Sequence, residues 1–349
     1  MNYKQINILA LIALLTITGF KVEKNRFAIT ENKAGKRVDI TVDGQPFTSY
    51  IYPESLMKPV LYPLRTSRNT LVTRGWPFDP RPGERVDHPH HVGLWFNYGD
   101  VNGLDFWNNS TAIPSEKKND YGTIVHSSVN KMEATNDHAL LDVTKYWQKP
   151  DGTNILKEDT RYVFSAKGDM RTVELTTKLT ALKEKVSFKD NKEGLLGIRL
   201  ARELEHPSNE PVNFTDASGN ITEVAKLDNS KTTGKYRSSE GVEGDNVWGT
   251  RGRWVNLTGK IADESISLVL IDHPDNVGYP TYWHARGYGL FAANPLGQNA
   301  MSGGKETLNF VLEAGKSVIF RYKLLINSGN HLTDKEVNTI AKTFAGEKR

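Results

Sequence analysis

Residues 317–326 read SVIFRYKLLI, and this run decides the fold class. Val318, Phe320, Tyr322, Leu324 and Ile326 alternate with other residues, the period-two pattern of a strand with one face against a core. Ala314-Gly315 supplies the turn that precedes it. Similar runs recur along the chain at 122–134, 139–147, 161–165, 172–179, 195–201, 252–257, 266–271, 289–293 and 307–312. Near the start, 36–42 and 45–52 flank Asp43-Gly44, a pair that tolerates the positive φ angles of a tight hairpin. Lys167-Gly168-Asp169 joins two further runs. Many strands with turn punctuation and no βαβ alternation predict an all-β fold, a two-sheet antiparallel β-sandwich. One helix is expected. Thr333 and Glu336 form a T-x-x-E capping box, and Val337, Ile340, Ala341 and Phe344 follow at helical spacing, predicting a C-terminal helix across the outside of the sandwich. The polar segment 203–245 reads as long loops walling a cleft.

Composition narrows the function classes. The chain has 349 residues, 38% hydrophobic and 25% charged, enough for a core without covalent staples. Its lack of cysteine excludes a disulfide framework, thiolate metal sites and a cysteine nucleophile. The formal charge of +4 is dispersed, so no nucleic-acid footprint is indicated. Lys4 is followed by INILALIALLTITGF at 6–20, an apolar run suited to the h-region of a secretory signal and short for a membrane span. The expectation is a signal peptide at 1–20 and a single exported domain at 21–349, periplasmic or extracellular, with no other membrane span. An uncleaved anchor is the alternative.

The densest chemical segment is GERVDHPHHVGLWFNYGDVNGLDFW at 83–107. Pro89 cannot donate to a central ladder, which places 87–89 in a loop entering a strand near His90. Val92, Leu94 and Phe96 would then face the core, and His91, Gly93, Trp95 and Asn97 the other side. Imidazole, indole and amide on one open face suit a sugar, whose C–H faces rest on rings while its hydroxyls find polar partners. These histidines could equally cap strand ends. His88 and His90 are spaced H-x-H and would hold a metal only with a third ligand such as Glu84, Asp105 or His284. Asp100 and Asp105 read as turn residues or as binders of hydroxyls. A second concentration runs from Trp248 through Arg251 and Trp254 to YPTYWHARGYGLFAANPLG at 279–297. There an extended 282–286 would put Tyr282, His284 and Arg286 on one face.

With DHPHHVGLWFNYGDVNGLDFW and YWHARGYGLFAANPLG in view, the chain resembles the bacterial PmoA-like family, labelled "methane oxygenase" in places, from about Pro59 to Ser328. The resemblance implies a part in glycan degradation. A chain without a membrane bundle does not look like a particulate monooxygenase subunit. More distantly the layout is similar to galactose-mutarotase-like supersandwiches, through His88–His91, His284 and the late LNFVLEAGKSVIFRYKLLINSG.

The functional expectation is a carbohydrate-active enzyme, a hydrolase, lyase or epimerase, with no cofactor. His90, His91 and His284 are its proton-transfer candidates. Arg286 and Arg65 would hold a carbonyl or anion, and His88, Trp95, Asn97, Trp107 and Tyr282 the sugar. A non-catalytic glycan-binding module and a metal-dependent oxygenase or lyase using His88 and His90 are the rivals. A paired-carboxylate glycosidase drawing on Glu84, Glu158, Glu203 or Glu205 is a further one. Expression of the full chain in a bacterium should yield an exported form lacking about the first twenty residues. Its intact mass checks this, and a protein retaining them points to the anchor.

Overall fold

The computed structural model describes residues 25–216, 218, 220–224 and 228–347, so the expected signal peptide lies outside the described residues. Four of the twenty described strands form two short pairs, and the other sixteen assemble into two eight-stranded sheets. The first runs, in spatial order, Phe27–Asn32, Arg37–Val42, Gln45–Ile51, Val60–Leu61, Leu94–Phe96, Leu196–Arg199, Leu290–Asn294 and Tyr282–Arg286. The second runs Lys235–Ser238, Trp254–Ile261, Glu264–Asp272, Ser317–Ser328, Met170–Ala181, Asn154–Lys167, His138–Gln148 and Thr123–Ala134. Neighbouring strands pair antiparallel throughout. The expected hairpins are present: Asp43 and Gly44 both take positive φ, and Gly168 turns Lys167 into Met170.

Alternation decides which residues fill the space between the sheets. From Ser317–Ser328, Phe320, Tyr322, Leu324 and Ile326 enter the main core, together with Leu94, Phe96, Ile198, Trp283 and Phe291 from the first sheet. The opposite face of the same strand is also covered. Leu325 joins Trp254, Val269 and Ile271 beneath Val337 and Phe344 of the helix Asp334–Gly346. That helix begins at the predicted capping box: Thr333 N–H donates to Glu336 Oε2 at 2.8 Å, and Glu336 N–H donates back to Thr333 Oγ1 at 3.4 Å.

Two expectations are corrected. Val92 does not face the main core with Leu94 and Phe96 but packs with Trp95 and Trp107 on the outer side of the first sheet. Gly93 is the cause. Its φ of +58° breaks the extended alternation, and a Cβ there would lie 2.2 Å from Leu61 O, so only glycine fits. The strand therefore begins at Leu94 instead of His90. The 203–245 segment is not all loop: Val212–Thr215 and Ile221–Val224 form a hairpin, and Lys235–Ser238 is an edge strand of the second sheet.

A charged pair is enclosed between the sheets. Lys145 Nζ lies 2.5 Å from Glu158 Oε1, with both side chains almost wholly inside. Trp147 Nε1 and Thr160 Oγ1 also donate to Glu158, each at 2.8 Å. Removing one member of such a pair strands the other in a low-dielectric interior. Glu158→Ala should therefore cost about 3–5 kcal/mol in urea unfolding; a loss below about 1 kcal/mol would mean that water reaches Lys145.

Candidate functional site

One cross-strand row explains how residues near 90 meet residues near 284. Trp95 pairs with Gly197, Gly197 with Ala292, and Ala292 with His284. All four lie in register across four strands, and the two inner positions carry almost no side chain. A Cβ on Gly197 would sit 2.6 Å from the Trp95 indole, so the glycine is what admits that ring. The next row on the same face is Arg199, Leu290 and Arg286. This outer face of the first sheet is the floor of a cleft.

The loop entering the floor is organised by a guanidinium. Arg74, 1% exposed, donates to the carbonyls of Arg85, Asp87, His88 and His91. It also meets Asp87 Oδ1 at 2.5 Å, where Arg199 Nη2 arrives at 2.6 Å. Burial pushes the Asp87 carboxyl up, but the His88 hydrogen bond and the charges of Arg199 and Arg74 outweigh it and hold the group far below the usual carboxylate range. His88 sits at φ +45°, a conformation a side chain seldom adopts, with Nδ1 3.3 Å from Asp87 Oδ2. With the proton on Nδ1, its Nε2 is left as the free ring nitrogen.

His88 belongs to a column of near-parallel rings that descends into the protein. Tyr288 and His88 are 5.4 Å apart at 3°, His88 and His91 4.9 Å at 3°, and His91 and Trp95 5.2 Å at 14°. Lys58 Nζ lies 5.5 Å from the Trp95 ring and donates to His90 O at 2.8 Å. Burial brings the Lys58 ammonium down to about 7.

Two adjoining hollows open above this floor. The inner, about 130 Å³, is lined by residues including His88, His90, His91, Trp107, Glu193 and His284. The outer, about 580 Å³, includes Asp87, His206, Ser208 and Asp245, and the two share His88, Trp248, Arg286 and Tyr288. Glu193 comes from the loop before Leu196–Arg199, pinned by Gly99 N–H donating to its carbonyl at 3.0 Å. Its Oε2 lies 3.6 Å from His284 Nδ1. Burial raises the Glu193 carboxyl, with Lys192 pulling the other way. His284 is pushed down to about 3 by burial and then by the charges of Arg286 and Lys192. His90 is pushed to about 2 by burial and the Lys58 charge, and His91 is lowered in the same way by burial and by His90. At neutral pH these three rings are uncharged.

The expected site residues thus divide. His88, His90, His91, Trp107, His284 and Arg286 line the inner hollow. Trp95 lies beneath His91. Asn97 is fully buried and donates to Phe106 O at 2.7 Å, holding the adjacent loop. Asp100 accepts from Gly103 N–H, and Asp105 from the N–H groups of Trp107 and Asn108, both turn-forming contacts. Arg65 bonds Asn69 at the surface, and Tyr282 lies under the Arg251 guanidinium at 4.6 Å. Among the described residues no group of three His, Cys, Asp or Glu side chains is arranged to hold a metal ion. The His88 and His90 rings stand 5.6 Å apart without a third ligand. No described helix is long and apolar enough to cross a membrane. A separate hollow of about 380 Å³, lined by Tyr52, Met57 and His126 among others, contains none of the expected residues.

Sequence reasoning missed Glu193, Tyr288, Lys58 and the arginine pair. Glu193 stands in a polar loop with no periodicity around it. Arg74 and Arg199 carried a faint signal, since an arginine amid apolar residues (LVTRG, LGIRL) calls for a buried partner.

Fold and site define a two-sheet antiparallel β protein with a polar, imidazole-rich cleft on the outer face of one sheet. The chain belongs to a family of unknown function, DUF6807, whose model matches residues 37–342. The PmoA-like label is not confirmed by that match. No curated protein matches the chain. Among solved structures it is similar to the GH36 alpha-galactosidase AgaB from Geobacillus stearothermophilus, at 12% identity and a TM-score of 0.40 over 87% of this chain and 41% of that one. It therefore spans about two fifths of the galactosidase's length. It is also similar to a putative aldose 1-epimerase from Escherichia coli K12, at 8% identity and a TM-score of 0.36 over 88% of this chain and 99% of that one. The fold assignment stands on the strand pairing.

The Asp87 cluster makes a prediction. The folded value lies below the unfolded one of about 3.9, so the pairing stabilises the protein above that pH and is lost as pH falls through the folded value. Asp87→Asn should cost about 3 kcal/mol at pH 7, because it leaves two buried guanidiniums uncompensated. The wild-type advantage should shrink in urea titrations below about pH 4. An equal gap at pH 7 and pH 3 would contradict the pairing.

Proposed function

We propose that this protein is an exported enzyme that moves protons on a carbohydrate, as an epimerase or a lyase. The observation that carries the reading is Glu193: a carboxyl raised by burial, lining the same small hollow as His88, whose Nδ1 is held against Asp87. A carboxylate lifted toward neutrality is a stronger base, and an imidazole fixed by a carboxylate presents its other nitrogen for proton exchange. Glu193 would take or return the proton on one side of the sugar and His88 on the other. His90 and His284, uncharged at neutral pH, would bond hydroxyls. Arg286 would polarise a carbonyl or hold a carboxylate, and Tyr288 and Trp248 would offer ring faces to C–H groups.

A paired-carboxylate hydrolase is less well supported. Among the described residues Glu193 is the one carboxyl lining the inner hollow, and Asp87 is committed to two guanidiniums. Export is supported by the apolar run at 6–20 behind Lys4.

The test is turnover of a panel of aldoses, uronic acids and their oligosaccharides in deuterated water, followed by proton NMR. Epimerisation shows as anomeric or stereochemical interconversion, and elimination as new vinylic signals. Glu193→Gln should lower the rate about 100- to 10,000-fold. The wild-type profile should bend at a pH above the ordinary glutamate value of about 4.3. Full activity in Glu193→Gln, or products of hydrolysis alone, would reject this reading.

A further inference from the structure

We infer that the outer hollow is a binding subsite for a second, uncharged sugar residue, so that the substrate is an oligosaccharide reached at one end by Glu193. This rests on the carbohydrate reading and specifies its substrate class.

The first argument is size. The inner hollow is about 130 Å³, whereas pockets that take a whole small ligand span roughly 300–1,000 Å³. The outer hollow, at about 580 Å³, falls within that range and continues directly from the inner one through His88, Trp248, Arg286 and Tyr288. A ligand whose reacting end meets Glu193 therefore has most of its room on the outer side.

The second argument is the chemistry of the wall. His206 is 9% exposed; its Nδ1 lies 3.0 Å from Asp245 Oδ1, and its Nε2 is buried with no protein partner. Buried polar atoms are nearly always satisfied, and a small outward shift of this ring, which lines the outer hollow, would let a ligand hydroxyl satisfy Nε2. Asp245 fixes the ring orientation, and His206 N–H donates to Gly287 O at 2.8 Å, tying the ring's backbone to the strand that carries Arg286. At the junction of the hollows, the Trp248 indole is 36% exposed with the Arg286 guanidinium 5.6 Å from its ring. An open indole braced by a cation is a surface for a sugar's C–H face. Pro207, Pro211 and Val212 add apolar surface nearby.

The third argument is charge. Arg85, on the same wall, is already paired with Glu205 at 2.7 Å, and Arg202 meets that carboxylate at 3.0 Å. Asp87 is claimed by Arg74 and Arg199. Arg85 and Asp87 are thus committed. Among the described residues the other charged groups lining the outer hollow are Arg286 at its junction with the inner one and the carboxylates of Glu210 and Asp245, a balance that favours a neutral ring over a phosphate or sulfate ester.

The experiment is calorimetric titration of the full chain with glucose, galactose, mannose and xylose and with the tetrasaccharides built from each. At least one tetrasaccharide should bind about tenfold or more tightly than its own monosaccharide. Asp245→Ala and His206→Ala should each cut that ratio to about threefold or less. Asp245 has a 78% exposed side chain, so its loss leaves folding intact and keeps the test informative. Equal affinity for monosaccharide and tetrasaccharide, or an unchanged ratio in both variants, overturns the subsite. Failure of all these neutral sugars to bind also overturns the subsite; the carbohydrate reading falls separately, when the uronic acids and their oligosaccharides fail to bind as well.

Discussion

Asp87 stands between two guanidinium groups that are almost wholly inside the protein, Arg74 and Arg199. Each has exchanged water for a single shared carboxylate oxygen, and neither is tolerable there without it. Arg74 then uses its remaining N–H groups to gather four carbonyls between Arg85 and His91, while Arg199 reaches His91 Nδ1 at 3.2 Å. The loop that presents the imidazoles is held by this charge cluster, because the segment forms no strand until Leu94. Without it, neither the left-handed backbone of His88 nor the aim of its ring would be enforced.

The cluster acts on a floor set by simpler rules. Strand alternation sends Trp283, Ala285, Phe291 and Ala293 inward, leaving His284, Arg286 and Ala292 outside. Gly197 and Ala292 keep the middle of that outer face low. Three walls rise around it: the loop through His88, the loop carrying Glu193, and one formed by residues 206–212 with Asp245 and Trp248. Because the walls are irregular and the floor is a sheet, His88 and Glu193 sit on loops above His284 and Arg286, which the strand Tyr282–Arg286 carries.

Most of the strands were legible in the sequence because they obey a local rule. The run at 317–326 and the hairpin at Asp43-Gly44 carry their period and their turn chemistry within a few residues. So does the helix after Thr333. Val92 was misplaced because one positive φ at Gly93 cancels the period, and a glycine in a strand pattern does not announce its sign of φ. In the site, two aromatic and histidine-rich segments marked themselves by composition, and His284 and Arg286 follow from alternation. Glu193 had no such mark: its raised carboxyl comes from burial and from neighbours that are mostly remote in sequence, which no local pattern encodes. Asp105 and Asp100 make the turn contacts that were one of their two readings, since residues fit for ligands are equally fit for turns.

The column of rings from Tyr288 through His88 and His91 to Trp95 has a mechanical consequence. Each ring occupies the space its neighbour would need in order to tilt, and the lowest is wedged over Gly197 in the body of the sheet. The stack on Tyr288 and His91, with Nδ1 3.3 Å from Asp87 Oδ2, favours one bearing of the His88 ring. On the proposed function, adjustment to an arriving ligand would fall to the ligand and to the outer wall, with the imidazole keeping its bearing.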